Sequence, residues 1–149
     1  MKYKITIDLQ KSKNSKAINI GAGNMKKRVS LVIVFNNNDE VLLARRKYDP
    51  HKGEWSVPGG HVEKNESPLS AAIREIKEEC NLTLPKNLKV LKLLILPDKE
   101  ITFFTVRYSG NEKILASSDV SEVGWFKLDE IPKLGWDEIP TIYVAHKII

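Results

Sequence analysis

The chain has 149 residues, of which 42% are hydrophobic and 29% charged, and its net charge at pH 7 is +5. This length suits one compact domain, and this composition excludes the disordered, collagen-like and coiled-coil classes. The longest apolar runs, such as 31–35 and 93–96, are far shorter than the roughly 18 residues of a membrane-spanning segment, so we predict no membrane partner. The first residues lack an apolar signal region, and we therefore expect a cytoplasmic protein.

The positive charge is concentrated at the N-terminus. Residues 1–30 carry a net charge of +7, whereas the rest of the chain carries −2. We interpret residues 1–27 as a basic arm that can bind nucleic acid, but we favour a structural role. Apolar residues alternate with polar ones over residues 3–9, which predicts an added strand. The single cysteine and three scattered histidines match no zinc site, so a metal ion would need oxygen ligands.

The hydrophobic pattern predicts strands interrupted by two helices. Two apolar runs flank the turn-forming residues 36–39, which is typical of a hairpin. Pro58-Gly59-Gly60 is expected to end a short extended piece, with glycines that permit close backbone approach. The strands are predicted over residues 3–9, 29–35, 41–44, 55–57, 88–96, 101–108 and 122–126.

The first helix has clear signals at both ends. Ser67 is a good N-cap and Pro68 suits the first helical position. Asn81 is expected to end this helix, because asparagine readily adopts the left-handed conformation. A second helix is predicted over residues 137–149, with Pro140 in its first turn.

Three glutamates crowd one face of the first helix. Glu75, Glu78 and Glu79 are spaced i, i+3 and i+4, so their carboxylates repel each other. Alone, such a run is typical of a solvated acidic face. However, the glycine turn and two more acids, Glu63 and Glu66, come directly upstream. Clustered oxygen ligands suit Mg²⁺ or Mn²⁺, ions that bridge carboxylates to substrate phosphates, so the pattern indicates a metal site.

The stretch Gly60-x5-Glu66-x7-Arg74-Glu75-Ile76-x-Glu78-Glu79-x-Asn81-Leu82 resembles the Nudix box, the signature of hydrolases acting on nucleoside diphosphates linked to another group. Only the final glycine of the box departs from the pattern, and asparagine at this position is the mildest replacement. The resemblance covers roughly residues 28–148, and we take 28–149 as a Nudix hydrolase domain. It implies an α/β fold, namely an α/β/α sandwich with a mixed central β-sheet.

The resemblance also implies a role for each polar residue of the box. Glu78 and Glu79 would be the principal metal ligands, and Glu75 would be a further ligand or the general base. Gly59, just before the box, would offer its backbone carbonyl to the metal. Arg74 would hold the glutamates by charge-assisted hydrogen bonds.

The C-terminal part of the chain supplies candidates for substrate binding. The segment 125–138 is similar to the corresponding part of MutT-like, oxidised-purine nucleoside triphosphatases. By that resemblance, Trp136 would pack on a purine base, and Asp137 or Glu138 would accept hydrogen bonds from its edge. The alternative interpretation makes Trp136 a hydrophobic anchor and Asp137 the N-cap of the last helix.

These patterns predict a Mg²⁺-dependent or Mn²⁺-dependent hydrolase that cleaves a nucleoside triphosphate, with an oxidised purine dNTP as the candidate, to a nucleoside monophosphate and pyrophosphate. Two alternatives stay open. One is a Nudix pyrophosphatase of ADP-ribose, a dinucleoside polyphosphate, a nucleotide sugar or an RNA 5′ end. The other is a ligand-sensing binding module. The sequence also leaves open whether Asp119 or Glu122 adds a metal ligand and whether the chain forms a homodimer.

Overall fold

The computed structural model describes residues 5–7 and 26–149. In these ranges the chain forms eight strands in one sheet, two α-helices and one short 3-10 helix. The strands are β1 (Ile5–Ile7), β2 (Lys27–Phe35), β3 (Val41–Arg46), β4 (Trp55–Ser56), β5 (Gly59–His61), β6 (Lys89–Ile95), β7 (Lys99–Arg107) and β8 (Val120–Phe126). The helices are α1 (Pro68–Cys80), α2 (Ile139–Ile148) and the 3-10 helix Leu128–Glu130.

The sheet is mixed, as predicted. Its main order is β1-β6-β7-β2-β3-β4, with β5 paired to β2 and β8 paired to β3. Only β2 and β7 run parallel among the described pairs, from Lys27 opposite Lys99 to Phe35 opposite Arg107. Strand β1, which falls in the predicted N-terminal arm, pairs with β6. The rest of the arm lies outside the described residues.

The two helices cover opposite faces of the sheet. Successive side chains of a strand point to opposite faces, and in β2 Val32 and Val34 pack with α1 residues such as Ile76. Ile33 and Phe35 pack on the other side with Ile142 and Ala145 of α2. The predicted α/β/α sandwich is therefore confirmed. In the described ranges, no helix has the length and apolar character needed to span a membrane.

Helix α1 begins and ends as predicted. The Ser70 N–H donates to the side-chain oxygen of Ser67 (3.1 Å), and Asn81 adopts the left-handed conformation with φ of 64°. Helix α2 begins later than predicted, at Ile139. The expectation that Asp137 caps this helix is wrong, because Glu138 occupies the N-cap position without a side-chain capping bond.

Strand β5 was not predicted as a separate element. Gly59 and Gly60 continue into a strand that pairs with residues 29–31 of β2 instead of only ending the preceding extended piece. Gly59 has φ of +151°, and a Cβ there would lie 2.8 Å from Leu31 Cα. The predicted close backbone approach is thus the approach of β5 to β2.

Candidate active site

Glu79 is the most deeply placed carboxylate of α1. Its relative exposure is 6%, and the Gly59 N–H donates to Glu79 Oε1 (3.2 Å). Burial, followed by the negative charge of Glu75, raises the pKa of Glu79 to about 8. The chain therefore holds a carboxylate in a place where its charge is costly unless a cation accompanies it.

Glu75 lies one turn earlier, against the second glycine of β5. Its side chain is 14% exposed, and burial raises its pKa. A Cβ at Gly60 would lie 2.6 Å from Glu75 Oε1, so a side chain there would displace this carboxylate. The two glycines of β5 thus place the backbone directly beside Glu75 and Glu79.

Arg74 connects the α1 glutamates to the turn before the helix. Its Nε and Nη2 donate to the two carboxylate oxygens of Glu66 (2.8 and 2.9 Å). Its Nη1 donates to Glu75 Oε1 (2.9 Å) and to Glu78 Oε2 (3.2 Å), and its Nη2 also donates to the His61 carbonyl (2.9 Å). The bonds from Arg74 and from the Glu63 backbone lower the pKa of Glu66 to about 2.

The carboxylates fit a divalent cation in the kind of donor they offer. Glu75 and Glu79 are adjacent and poorly solvated, so a cation between them would relieve both burial and mutual repulsion. Glu78 is 47% exposed and bonded to Arg74. Within residues 5–7 and 26–149, no three side chains of the metal-ligating types are gathered around one point. Glu75 and Glu79 are therefore the side chains that could hold the metal, and Glu78, one turn after Glu75 on the same helix, is a further candidate donor.

Of the two later carboxylates, Asp119 is the one near the α1 glutamates. Burial raises the pKa of Glu75 and of Glu79, and the negative charge of Asp119 adds to the increase in both. Glu122 instead pairs with Arg45 (3.3 Å) on the exposed surface of β3 and β8. The effect of its charge on both glutamates makes Asp119, rather than Glu122, the candidate for an additional ligand.

We expect Asp119→Asn to reduce kcat about ten-fold or more, since a weaker donor would replace a metal-ligating carboxylate. Glu122→Gln removes the same charge from the same segment and is the matched control, expected to stay within about two-fold because its carboxylate forms a surface ion pair. Steady-state kinetics over a range of Mg²⁺ concentrations makes the comparison. Equal effects of the two variants on kcat would contradict the assignment of Asp119 as a metal ligand.

A second group of residues surrounds Trp136. Trp136 is 38% exposed, and its ring centroid is 4.5 Å from that of His51. The guanidinium of Arg46 lies 4.9 Å from the same indole ring. Burial raises the pKa of Glu79 and of Glu138, and the positive charge of Arg46 opposes both increases. Arg46 therefore links the metal-binding candidates electrostatically to the predicted substrate-binding residues.

Glu138, two residues after Trp136, is buried. It is 6% exposed and accepts a hydrogen bond from the Val57 N–H (3.0 Å), while burial raises its pKa to about 7. Asp137 is exposed. The structure thus brings Trp136 and Glu138 together around Arg46, and it leaves Asp137 at the surface.

The sequence interpretation overlooked Arg46, and it considered His51 only as one of three scattered histidines that match no zinc site. No local signal pointed to Arg46, because strand β3 extends two residues beyond its predicted end and only the structure shows that it carries Arg46 to the site. For His51 the spacing to Glu54 is the only local hint, and the two form an ion pair (2.8 Å) when the histidine is protonated.

An α/β/α sandwich whose first helix carries several carboxylates beside a glycine strand is the arrangement that the resemblance in residues 60–82 implies. The family model of the NUDIX domain matches residues 25–145. The chain therefore belongs to the Nudix family, which confirms the resemblance found in residues 60–82.

Three curated relatives illustrate the range of activities in the family. The chain is 35% identical over 111 residues to an ADP-ribose pyrophosphatase of Methanocaldococcus jannaschii, covering 70% of this chain and 64% of the relative. It is 30% identical over 125 residues to the NAD-capped RNA hydrolase NudC of Haemophilus influenzae, covering 80% and 46%. It is 34% identical over 84 residues to the 8-oxo-dGTP diphosphatase of Escherichia coli, covering 54% and 64%. The chain thus spans less than two thirds of these relatives.

Solved structures share the fold. A MutT NUDIX hydrolase from Burkholderia pseudomallei has a TM-score of 0.67 and 21% identity, covering 82% of this chain and 98% of that one. The NUDIX domain of Shewanella oneidensis NrtR, complexed with ADP ribose, has a TM-score of 0.68 and 19% identity, covering 89% and 94%. A bifunctional NMN adenylyltransferase/ADP ribose pyrophosphatase from Francisella tularensis, complexed with AMP and an Mn ion, has a TM-score of 0.59 and 25% identity, covering 80% and 37%.

Proposed function

We propose that this Nudix hydrolase cleaves a purine nucleoside triphosphate to a nucleoside monophosphate and pyrophosphate, using Mg²⁺ or Mn²⁺. The observation that carries the proposal is the exposed Trp136 indole beside Arg46 and the buried Glu138 carboxyl group. An indole offers a flat surface for a base, and a carboxyl group can bond to the N–H groups of a purine edge. The similarity to an 8-oxo-dGTP diphosphatase supports this choice.

The residues of α1 would carry out the hydrolysis. Glu75 and Glu79 would hold the metal, and Arg74 would orient the carboxylates by its hydrogen bonds. When bound, the metal ion neutralises charge on the phosphoryl oxygens and lowers the pKa of a bound water. An α1 carboxylate takes a proton from the attacking water, whose oxygen bonds to phosphorus. The phosphoanhydride P–O bond breaks, and pyrophosphate carries away the electron pair.

ADP-ribose is the second candidate substrate. It is favoured by the relative with 35% identity, which is named an ADP-ribose pyrophosphatase. Its adenine is a purine, so the surface around Trp136 fits it as well. Hydrolysis of the same type of bond would then release AMP and ribose 5-phosphate.

A substrate panel tests the proposal. The panel contains canonical and oxidised dNTPs, ADP-ribose, a diadenosine polyphosphate, a nucleotide sugar and triphosphorylated RNA, each with Mg²⁺ and with EDTA. We expect the highest kcat/KM for a purine nucleoside triphosphate, with metal-dependent release of pyrophosphate. Preference for ADP-ribose would overturn the substrate assignment but not the α1 site. Absence of turnover on every member would favour the ligand-sensing module.

We expect Trp136→Ala to raise KM for the purine substrate by about ten-fold or more, because a stacked base loses roughly 1–3 kcal/mol with its aromatic partner. KM for a pyrimidine nucleoside triphosphate should change less, since a smaller base covers less of the indole. The matched control is Tyr143→Ala, which also removes an exposed aromatic side chain, in this case one on helix α2. Equal KM values for Trp136→Ala and the unmodified protein would contradict the proposal that Trp136 binds the base.

A further inference from the structure

An open basic groove lies beside the catalytic candidates. It has a volume of about 360 Å³ and is formed where β2 begins and β5 ends. Apart from Val62, its described lining residues are basic side chains, and no acidic residue of the described ranges lines it. These basic residues are Lys26, Lys27, Arg28, His61 and Lys64.

The neighbouring acids offset part of the charge of Arg28, but among the described residues none of them forms an ion pair with Lys26, Lys27 or Lys64. Glu66 is bound by both donors of Arg74, and Glu63 also lies near that guanidinium (3.9 Å). Arg28 donates to the backbone carbonyls of Glu63 and Glu66, and its positive charge also contributes to the lowered pKa of Glu66, so Glu66 offsets part of that charge. Glu100 is the acid opposite Arg28 in the β2–β7 register. The lysines of the groove therefore supply a positive charge that attracts anions.

Residues 55–61 run along the site and contact its parts in chain order, from the neighbourhood of Trp136 to the groove. Near the start of this stretch, the Trp55 carbonyl accepts a hydrogen bond from Gly135, next to Trp136 (2.9 Å). Gly59 then bonds to Glu79, and Gly60 lies against Glu75. His61 bonds to Arg74 through its carbonyl and lines the groove. The groove consequently lies beyond the α1 carboxylates, away from Trp136.

We propose that this groove binds the phosphate groups of the leaving part of the substrate. The inference rests on the proposed function, which places the base at Trp136 and the reacting phosphates at α1. A nucleoside triphosphate then extends its terminal phosphates toward Lys27 and Lys64. The site selects substrates with a phosphate-rich leaving group over those with a sugar in that position, because the groove offers cations and few groups that would recognise hydroxyls.

The test compares two double variants of the full chain. Lys27→Ala/Lys64→Ala removes two exposed cations of the groove, and Lys86→Ala/Lys113→Ala removes two exposed cations outside it. The readout is the ratio of kcat/KM for GTP to that for GDP, which share a base but differ in their terminal phosphate. We expect this ratio to fall about five-fold to ten-fold in the groove variant and to stay within about two-fold in the control, since each exposed ion pair contributes about 0.2–1 kcal/mol.

A binding measurement separates this inference from the proposed function. Affinity for inorganic tripolyphosphate, measured calorimetrically without nucleotide, should fall about five-fold to ten-fold in the groove variant alone and decline with added salt. If the GTP-to-GDP ratio of kcat/KM and the tripolyphosphate affinity were both unchanged in the groove variant, the proposal that the groove binds phosphate groups would be overturned. Groove-dependent tripolyphosphate binding in a protein that hydrolyses no nucleotide would overturn the proposed function and retain the anion site.

Discussion

Glu79→Gln is expected to reduce turnover by about a thousand-fold or more while the protein stays folded, because an amide cannot supply the charge with which a carboxylate holds the metal. The substitution should also make the stability of the metal-free protein less sensitive to a rise in pH from about 4.5 to 8. Burial raises the pKa of Glu79 from 4.5 to about 8, so the folded protein loses stability as pH rises through this interval. Glutamine does not ionise and avoids that loss.

Two measurements check this result. Initial rates with saturating Mg²⁺ give the loss of turnover, and thermal melts of the EDTA-treated protein at pH 5 and pH 8 give the stability. Glu130→Gln is the control, because Glu130 is exposed in the 3-10 helix and its side chain takes part in none of the α1 contacts described above. A folded Glu79→Gln protein with normal turnover would contradict the assignment of the metal site to α1.

Arg74→Lys is expected to reduce kcat about a hundred-fold, although it conserves charge, because misplacement of catalytic groups by about 1 Å can have this effect. Lysine presents a single ammonium group, which cannot bind both oxygens of Glu66 and also reach Glu75 and the His61 carbonyl. The glutamates would lose their common anchor. We therefore expect the Mg²⁺ concentration at half-maximal rate to rise as well.

The control for this variant is Arg107→Lys. Arg107 is also partly buried and also bonds to a carboxylate and a backbone carbonyl, those of Asp39 (3.0 Å) and Asn36 (2.6 Å), but on the far part of the sheet. Kinetics with varied Mg²⁺ and melting temperatures should separate the two. If Arg74→Lys lowered only the melting temperature and left the Mg²⁺ dependence unchanged, Arg74 would be structural alone.

Much of the fold could be predicted because its signals are local. Ser67, Pro68 and Asn81 mark the ends of α1 through bonds within one turn, and the observed helix keeps those limits. Strands β2 and β7 are long apolar segments, so their position follows from composition. The spacing of Glu75, Glu78 and Glu79 places these residues on one helix face by geometry alone.

The features that the sequence did not predict depend on contacts between distant parts of the chain. Strand β5 has two glycines and no hydrophobic periodicity, and it exists because β2 lies beside it. Glu138, the residue before α2, is held by a bond that its carboxylate accepts from the Val57 N–H, 81 residues earlier. The approach of Arg46 to Trp136 likewise has no local signal.

Equilibrium binding of Mn²⁺, followed by the electron paramagnetic resonance signal of the free ion, tests the central claim most directly. Turnover of the preferred nucleotide is measured in the same samples of the unmodified protein, Glu79→Gln and Glu130→Gln. We predict that the unmodified protein and Glu130→Gln bind Mn²⁺ and hydrolyse the nucleotide, whereas Glu79→Gln loses both properties. Full turnover after complete chelation, or Mn²⁺ binding and hydrolysis that survive Glu79→Gln, would contradict a metal-dependent site on α1.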